Sequence, residues 1–448
     1  MKKRLPQRRF TEGQAIIGLL IAIAVSAILM QSLFTLVSSS YNLVSYNRSR
    51  ITARHLAKQK MELIKNFDYN DIGTPGGIPN GIVEEEEIVE KNDLNFTIKT
   101  NIVYIDDPFD ELAPLDSFAT DYKRVRIEVS WGGLAPSSTN PIVILSDISP
   151  TTLSSTFTGT FIIQVINANG QPVPQAEVSV FAPSLNPAVD TDELTNENGL
   201  VTLPGAEPCD SCYEVEVTKS GFSSSRTYST AEVANPLKPH ATVIEGQVTQ
   251  NTFSIDLLGQ INIFSFDSRD NNFAALGGVS FDIRGAKTIG TDAFGQPVYK
   301  FRESKITNSS GTLNLTDMEW DYYTVSMPGT TSWDISGNSP QQPINLIPQG
   351  DTDFSFSVEP HSDNNLLTTV KNTSQDLIEN AYIRLYDDFG FDTATTSGKL
   401  NDPDFGQAFF PNLNPATFHL SATASGYLNY NADVDVSGTS SKEIILNP

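Results

Sequence analysis

The spacing of apolar residues changes character twice along this 448-residue chain. From Ala15 to Val37 the sequence AIIGLLIAIAVSAILMQSLFTLV is uncharged. A helix of this length, at about 1.5 Å per residue, is roughly 35 Å long, enough to cross a hydrocarbon core of about 30 Å. Neither Gly nor Pro interrupts the polar stretch that follows, and Ala53, Leu56, Ala57, Met61 and Ile64 fall on one helical stripe. This predicts one continuous helix over 14–66, nearly 80 Å long at about 1.5 Å per residue, apolar all round in its first half and amphipathic in its second. Breakers crowd Asp71 to Pro79, and strand-like runs follow at Gly81–Val89, Asn95–Ile105, Tyr122–Trp131 and Ile142–Ile148, with Val125, Ile127, Val129 and Trp131 alternating. The expected unit over 67–150 is α+β, an antiparallel sheet resting on the helical stripe.

From about Thr152 the pattern becomes short apolar alternations in Ser, Thr, Asn and Gly, repeating at a spacing of about one hundred residues. Thr195–Leu203, Thr307–Leu315 and Asn401–Phe410 each place a Gly turn ahead of a strand. Strands precede them at Ala176–Phe181, Val279–Ile283 and Ala381–Tyr386, and others follow at Tyr213–Val217, Tyr322–Met327 and Phe418–Ala422. Ser220-Gly221-Phe222 and Ser425-Gly426-Tyr427 also repeat, the middle copy lacking that piece. Turn signals every 8 to 12 residues predict three all-β sandwiches in tandem, over 152–250, 251–360 and 361–448.

Charge adds orientation. The chain has 29 basic and 53 acidic residues, a net of −24, which disfavours phosphate backbones and demotes nucleic-acid binding. Lys2, Lys3, Arg4, Arg8 and Arg9 face only Glu12 within 1–13, so everything after Gly13 carries a net of −28. A basic flank stays cytoplasmic, which puts the acidic bulk on the far side of the membrane. The alternative, a cleaved secretory signal, fits poorly because the apolar run exceeds the usual length of about 7 to 15 residues and no small-x-small site in a polar flank follows.

The junction Gly13-Gln14-Ala15-Ile16-Ile17-Gly18-Leu19-Leu20, behind the basic leader and ahead of a long stalk, resembles the class III signal of type IV pilins and pseudopilins. The resemblance implies cleavage by a prepilin peptidase after Gly13, methylation of the new N-terminus at Gln14, and a pilin-like sheet on the stalk. In that family the fifth mature position is usually glutamate; here it is Gly18. Further on, Val165 to Val178 with its Gly170-Gln171-Pro172-Val173-Pro174 core, the Asn198-Gly199 turn, Tyr213–Val217 and Gly221-Phe222 resemble the carboxypeptidase regulatory-like, or prealbumin-like, domain. This implies seven-stranded accessory sandwiches without catalysis of their own.

Candidate chemistry is sparse. Cys209-Asp210-Ser211-Cys212 reads as a redox pair, half a zinc site or a loop-closing disulfide, the last being favoured on an oxidising face of the membrane. Asp106, Asp107, Asp110 and Glu111 gather around Pro108 at a spacing that could hold Ca²⁺, although an acidic turn on an acidic protein is more simply solvated surface and no second ligand loop is evident. Glu84 to Glu87 reads as a charged sheet edge that discourages strand pairing. His55, His240, His361 and His419 are scattered, and no hydrolase, P-loop or dinucleotide motif occurs. No enzyme and no other cofactor are expected.

The functional expectation is a tip-located minor pilin of a type IV pilus-like filament that displays sandwich modules for surface adhesion. Its expected partners are other pilin subunits through the N-terminal helix, the prepilin peptidase, the cytoplasmic membrane and a surface ligand. It would be a single-pass cytoplasmic membrane protein before assembly and extracellular afterwards. The alternatives are a pseudopilin of a type II secretion or DNA-uptake system and a membrane-anchored extracellular ligand-binding protein.

Overall fold

The computed structural model describes residues 12–109, 111, 113, 116, 120–132, 140–150, 158–329 and 331–448. It is one long N-terminal apolar helix followed by a body of many strands. The helix, α1 (Glu12–Lys65), runs unbroken for 54 residues. Between Ile17 and Val44 its described apolar side chains are exposed, Phe34 at 72% and Met30 at 75%. Only from about Tyr46 onward is one side of it covered. There Ala53, Leu56, Ala57, Met61 and Ile64 are buried against Phe96, Ile98, Ile102, Val125, Ile127, Val129 and Trp131. The two alanines let the helix lie close on the sheet, and the larger residues fill the space between.

That sheet has the order Glu86–Lys91, Leu94–Ile105, Tyr122–Gly132, Ile142–Ile148, antiparallel throughout. Asn92 and Asp93, at φ 53° and 60°, make the tight turn of its first hairpin, where side chains that tolerate the left-handed region are needed. The first strand begins at Glu86 rather than Gly81. The chain before it instead folds back, with Thr74 N–H donating to Pro79 O and Val83 N–H to Gly73 O. Lys123 shares the buried face with Val125 and Ile127, its Nζ donating to Tyr69 O at 2.7 Å and Ile72 O at 2.6 Å. It fastens the loop to the sheet.

Three sandwiches follow, built alike. In the first, Gly159–Ile166 lies between Leu200–Ala206, antiparallel, and Val248–Ser254, parallel. In the second, Gly259–Phe266 lies between Thr312–Met318 and Asp351–Pro360, and in the third Asn365–Asn372 lies between Gln407–Phe410 and Thr439–Leu446, with the same directions. The opposing sheets are centred on the pairs Glu177–Ala182 with Cys209–Thr218, Ser280–Gly285 with Asp321–Ser326, and Tyr382–Tyr386 with Ala416–Thr423. Alternating inward residues close each core, around Phe161 and Tyr213, around Phe281 and Phe356, and around Phe418 and Leu420. The boundary expected at 250/251 falls inside Val248–Ser254, whose seven residues pair with Thr160–Ile166, so the first sandwich runs on to Ile255 of its own core. The boundary expected near Thr152 lies outside the described residues.

Neighbouring units are joined by more than the chain. Ile78 of the loop after α1 belongs to the first sandwich core, and Asp190 N–H donates to Gly76 O at 2.7 Å. Asn235–Pro236 of the first sandwich pairs with Thr288–Thr291 of the second, which pairs in turn with Pro297–Tyr299. Arg269 of the second forms an ion pair with the buried Asp404 of the third, and the Gln407 amide exchanges hydrogen bonds with the Asn338 backbone.

Candidate functional site

An extended apolar surface is presented by the helix itself. α1 has a window of mean hydropathy 2.3 that is 0% buried within the chain, which fits a membrane anchor or signal. An α-helix satisfies its own backbone groups, so such a surface is compatible with lipid or with sister helices and costly in water. The backbone of Gly13, Gln14 and Gly18 is helical, continuous with the rest of α1. The basic leader residues Lys2, Lys3, Arg4, Arg8 and Arg9 lie outside the described residues.

The acidic turn is rearranged relative to its sequence order. Asp106 comes together with Asp116 and Asp121, their carboxylate oxygens within 4.8 Å of one another, each half-buried. Asp107 is engaged otherwise. Its N–H donates to Asp121 Oδ2 at 2.6 Å and its Oδ1 accepts from Phe109 N–H at 3.1 Å. Glu111 is exposed at φ 84°, and Asp110 lies outside the described residues. Asp116 and Asp121 are ten and fifteen residues from Asp106, and only closure of the loop onto the start of Tyr122–Gly132 reveals the grouping.

Cys209 and Cys212 open the strand Cys209–Thr218 with their sulfurs bonded to one another, and Ser211 between them adopts φ 52°. Ser211 N–H donates to Thr242 Oγ1 at 2.9 Å, and that hydroxyl donates to Asp210 Oδ1 at 2.9 Å. The pair thus closes a bulged strand start at the sandwich margin. The histidines remain apart. His361 Nδ1 lies 2.8 Å from Asp334 Oδ1, and His419 Nδ1 lies 2.7 Å from Asp433 Oδ1; in both the carboxylate raises the imidazole pKa above its ordinary value.

One basic cluster escaped the sequence reading because its members are spread over more than 70 positions. Arg226, Lys238, Lys287 and Lys300 line a cleft where the first and second sandwiches meet. Glu319 answers two of them, Lys287 at 2.9 Å and Lys300 beside it.

No family model matches the chain, and no curated protein matches it. Among solved structures it is similar to the Bacillus anthracis TIE protein at 13% identity, over 82% of this chain and 73% of that one, with a TM-score of 0.19. It is similar at 12% identity to the shaft pilin SpaA from Lactobacillus rhamnosus GG, over 43% of this chain and 98% of that one, with a TM-score of 0.17. A streptococcal ancillary pilin aligns at 11% identity over 64% of this chain and 98% of its own, also at a TM-score of 0.17. Likenesses of this size carry no argument about fold or function.

Proposed function

We propose that this chain is a non-catalytic, membrane-inserted minor subunit of a type IV pilus-like filament, with the three sandwiches carried outside the cell for adhesion. The supporting observation is the division of α1: its first half is apolar and exposed on every side, while its second half buries one stripe beneath an antiparallel sheet. A helix that ended in a bilayer would need no such head on its second half. One that moves from bilayer to a bundle of sister helices needs both parts, because the apolar half never meets water and the head fixes its neighbour's distance. The basic leader and the Gly13-Gln14 junction supply the processing step, with a prepilin peptidase as partner. Cys209 and Cys212 remain oxidised on the outer face.

Gly18 bears on position in the filament. In the family that the junction resembles, the fifth-position glutamate pairs with the N-terminal ammonium of a neighbouring subunit. Gly18 makes no such pair, and an unpaired charge inside an apolar bundle costs several kcal/mol, on the order of 3–5. A subunit at the tip has no subunit ahead whose ammonium must be neutralised.

Mass spectrometry of the mature N-terminus tests the reading. With a prepilin peptidase present, the expected chain begins at a methylated Gln14. An intact Met1, or a cut beyond Val37, overturns it. Gold-labelled antibody against the sandwiches is expected at filament ends; regular label along the shaft overturns the tip position.

A further inference from the structure

The first and second sandwiches meet across a cleft of about 410 Å³, a size within the range of roughly 300–1,000 Å³ of small-molecule sites. Its lining reverses the sign of the molecule around it. Four cations, Arg226, Lys238, Lys287 and Lys300, face it with Glu319 as the one lining carboxylate, in a chain of net charge −24. Internal partners account for three of the four. Lys287 and Lys300 share Glu319, and Arg226 pairs with Glu232 at 2.9 Å while stacked on Tyr228. Lys238 is different. Among the described residues it makes no ion pair; its Nζ donates to Ser225 Oγ at 3.2 Å and stands 4.8 Å from the centre of the Phe253 ring.

Burial depresses the Lys238 pKa, and Lys300 and Lys287 depress it further while Glu319 opposes them; burial likewise lowers Lys287, again against Glu319. Cations crowded at the expense of their own protonation favour an incoming negative charge. The remaining lining mixes the hydroxyls of Ser225, Tyr228, Ser254 and Thr288 with an apolar part. Trp320 lies beneath Lys287 Nζ, 3.0 Å from the ring centre, and its buried indole N–H has no acceptor among the described residues. Leu237 and Ile289 extend the apolar surface along the line where Asn235–Pro236 pairs with Thr288–Thr291.

We propose that this cleft binds a small anion carried on a ring, specifically an acidic sugar unit whose carboxylate meets Lys238 and its neighbouring lysines while its ring lies along Trp320, Leu237 and Ile289. A charged group alone would use the lysines and leave the apolar wall wet. A neutral sugar would bring no ion-pair partner to Lys238, which Glu319 compensates only from a distance. A uronate satisfies both. The cleft is formed by the sandwiches alone, so its ligand does not depend on what the helix does.

Titration calorimetry on the full-length protein in detergent decides the matter, with glucuronate, glucose and inorganic phosphate as probes. Glucuronate is expected to bind about tenfold or more tightly than either of the others. Lys238→Met should weaken glucuronate by about tenfold, and Lys238→Arg, which keeps the charge, should restore most of the loss. Trp320→Phe should abolish the ligand-induced change in tryptophan fluorescence. Equal affinity for phosphate reduces the cleft to an adventitious anion site and overturns the proposal. So does equal affinity for glucose, or glucuronate binding that Lys238→Met leaves unchanged in a protein whose melting temperature shows that it is folded.

Discussion

At Asn167, Asn196, Asp292, Asn308, Asn372 and Asp387 one device recurs: the side-chain Oδ1 accepts from the backbone N–H groups two and four residues on, at 2.8–3.0 Å. After Asn196, Asp292, Asn308 and Asp387 the next strand begins four or five residues on, and Asn with Gly marked the turns at 167–170, 196–199 and 308–311 in the sequence. A second device could not be read that way. Thr195 Oγ1 accepts from Ala176 N–H at 2.9 Å and donates to Val173 O at 2.7 Å, and Ser397 does the same with Ala381 and Ile378. Thr307 holds the corresponding place, its Oγ1 accepting from Val279 N–H at 3.2 Å. Nothing local distinguishes such a hydroxyl from that of any strand threonine; its partners are 16 to 28 residues away. Gly199, at φ 69°, accepts from Val165 N–H at 2.7 Å, and a Cβ there would stand 2.4 Å from Val165 O, whereas one at Gly170, φ 75°, would meet nothing. Gly170→Ala should therefore cost only the left-handed strain, about 1–2 kcal/mol. Gly199→Ala should add overpacking of about 1–3 kcal/mol. Hydrogen exchange at the Val165 amide, sensitive to the second variant and much less to the first, checks the pair.

At the scale of single elements, the 3.6-residue stripe was legible because Ala53, Leu56, Ala57, Met61 and Ile64 share one helical face, and the strand period was legible in Val125, Ile127, Val129 and Trp131. The same alternation points Lys123 inward, and only the carbonyls of Tyr69 and Ile72 explain the burial of a charge there. Shortening the stripe by Ile64→Ala should destabilise the helix–sheet unit by about 2–5 kcal/mol, and Ala57→Leu by about 1–3 kcal/mol, both read from its unfolding midpoint in urea. Burial pushes the Lys123 pKa down to about 8 from 10.5, although Asp71 opposes the shift. Between these values the unfolded chain holds more protons than the folded one, so stability rises with pH from about 8 to about 10.5. Lys123→Met should flatten that rise. A wild-type helix–sheet unit whose midpoint is level across the window would contradict the assigned shift.

For the whole molecule, the number of sandwiches followed from recurring turn signals, but their mutual attachment did not, since Asn235–Pro236 against Thr288–Thr291 and Arg269 against Asp404 are pairings that no local pattern encodes. The connection between the second and third sandwiches is fastened as well: Asp334 accepts from His361 Nδ1, Ser362 N–H and Asn365 Nδ2 at 2.8–2.9 Å. Arg269→Ala leaves Asp404 buried without its cation, and should speed chymotryptic or thermolytic cleavage near 361–365 by about tenfold while sparing the sandwiches; an unchanged rate would mean the ion pair contributes nothing to the joint. The parallel partnership of first and last strand in all three sandwiches has a mechanical meaning. The chain enters each sandwich at the start of one strand and leaves at the end of its parallel neighbour, so tension drawn through the chain tries to slide the two past each other. Seven, seven and eight paired residues then bear the load together, where an antiparallel pair pulled from one end would open one bond at a time. Resistance to force is set by the height of the unfolding barrier rather than by equilibrium stability, and a chain anchored at one end and gripped at the other would hold because every link in the series is loaded in shear.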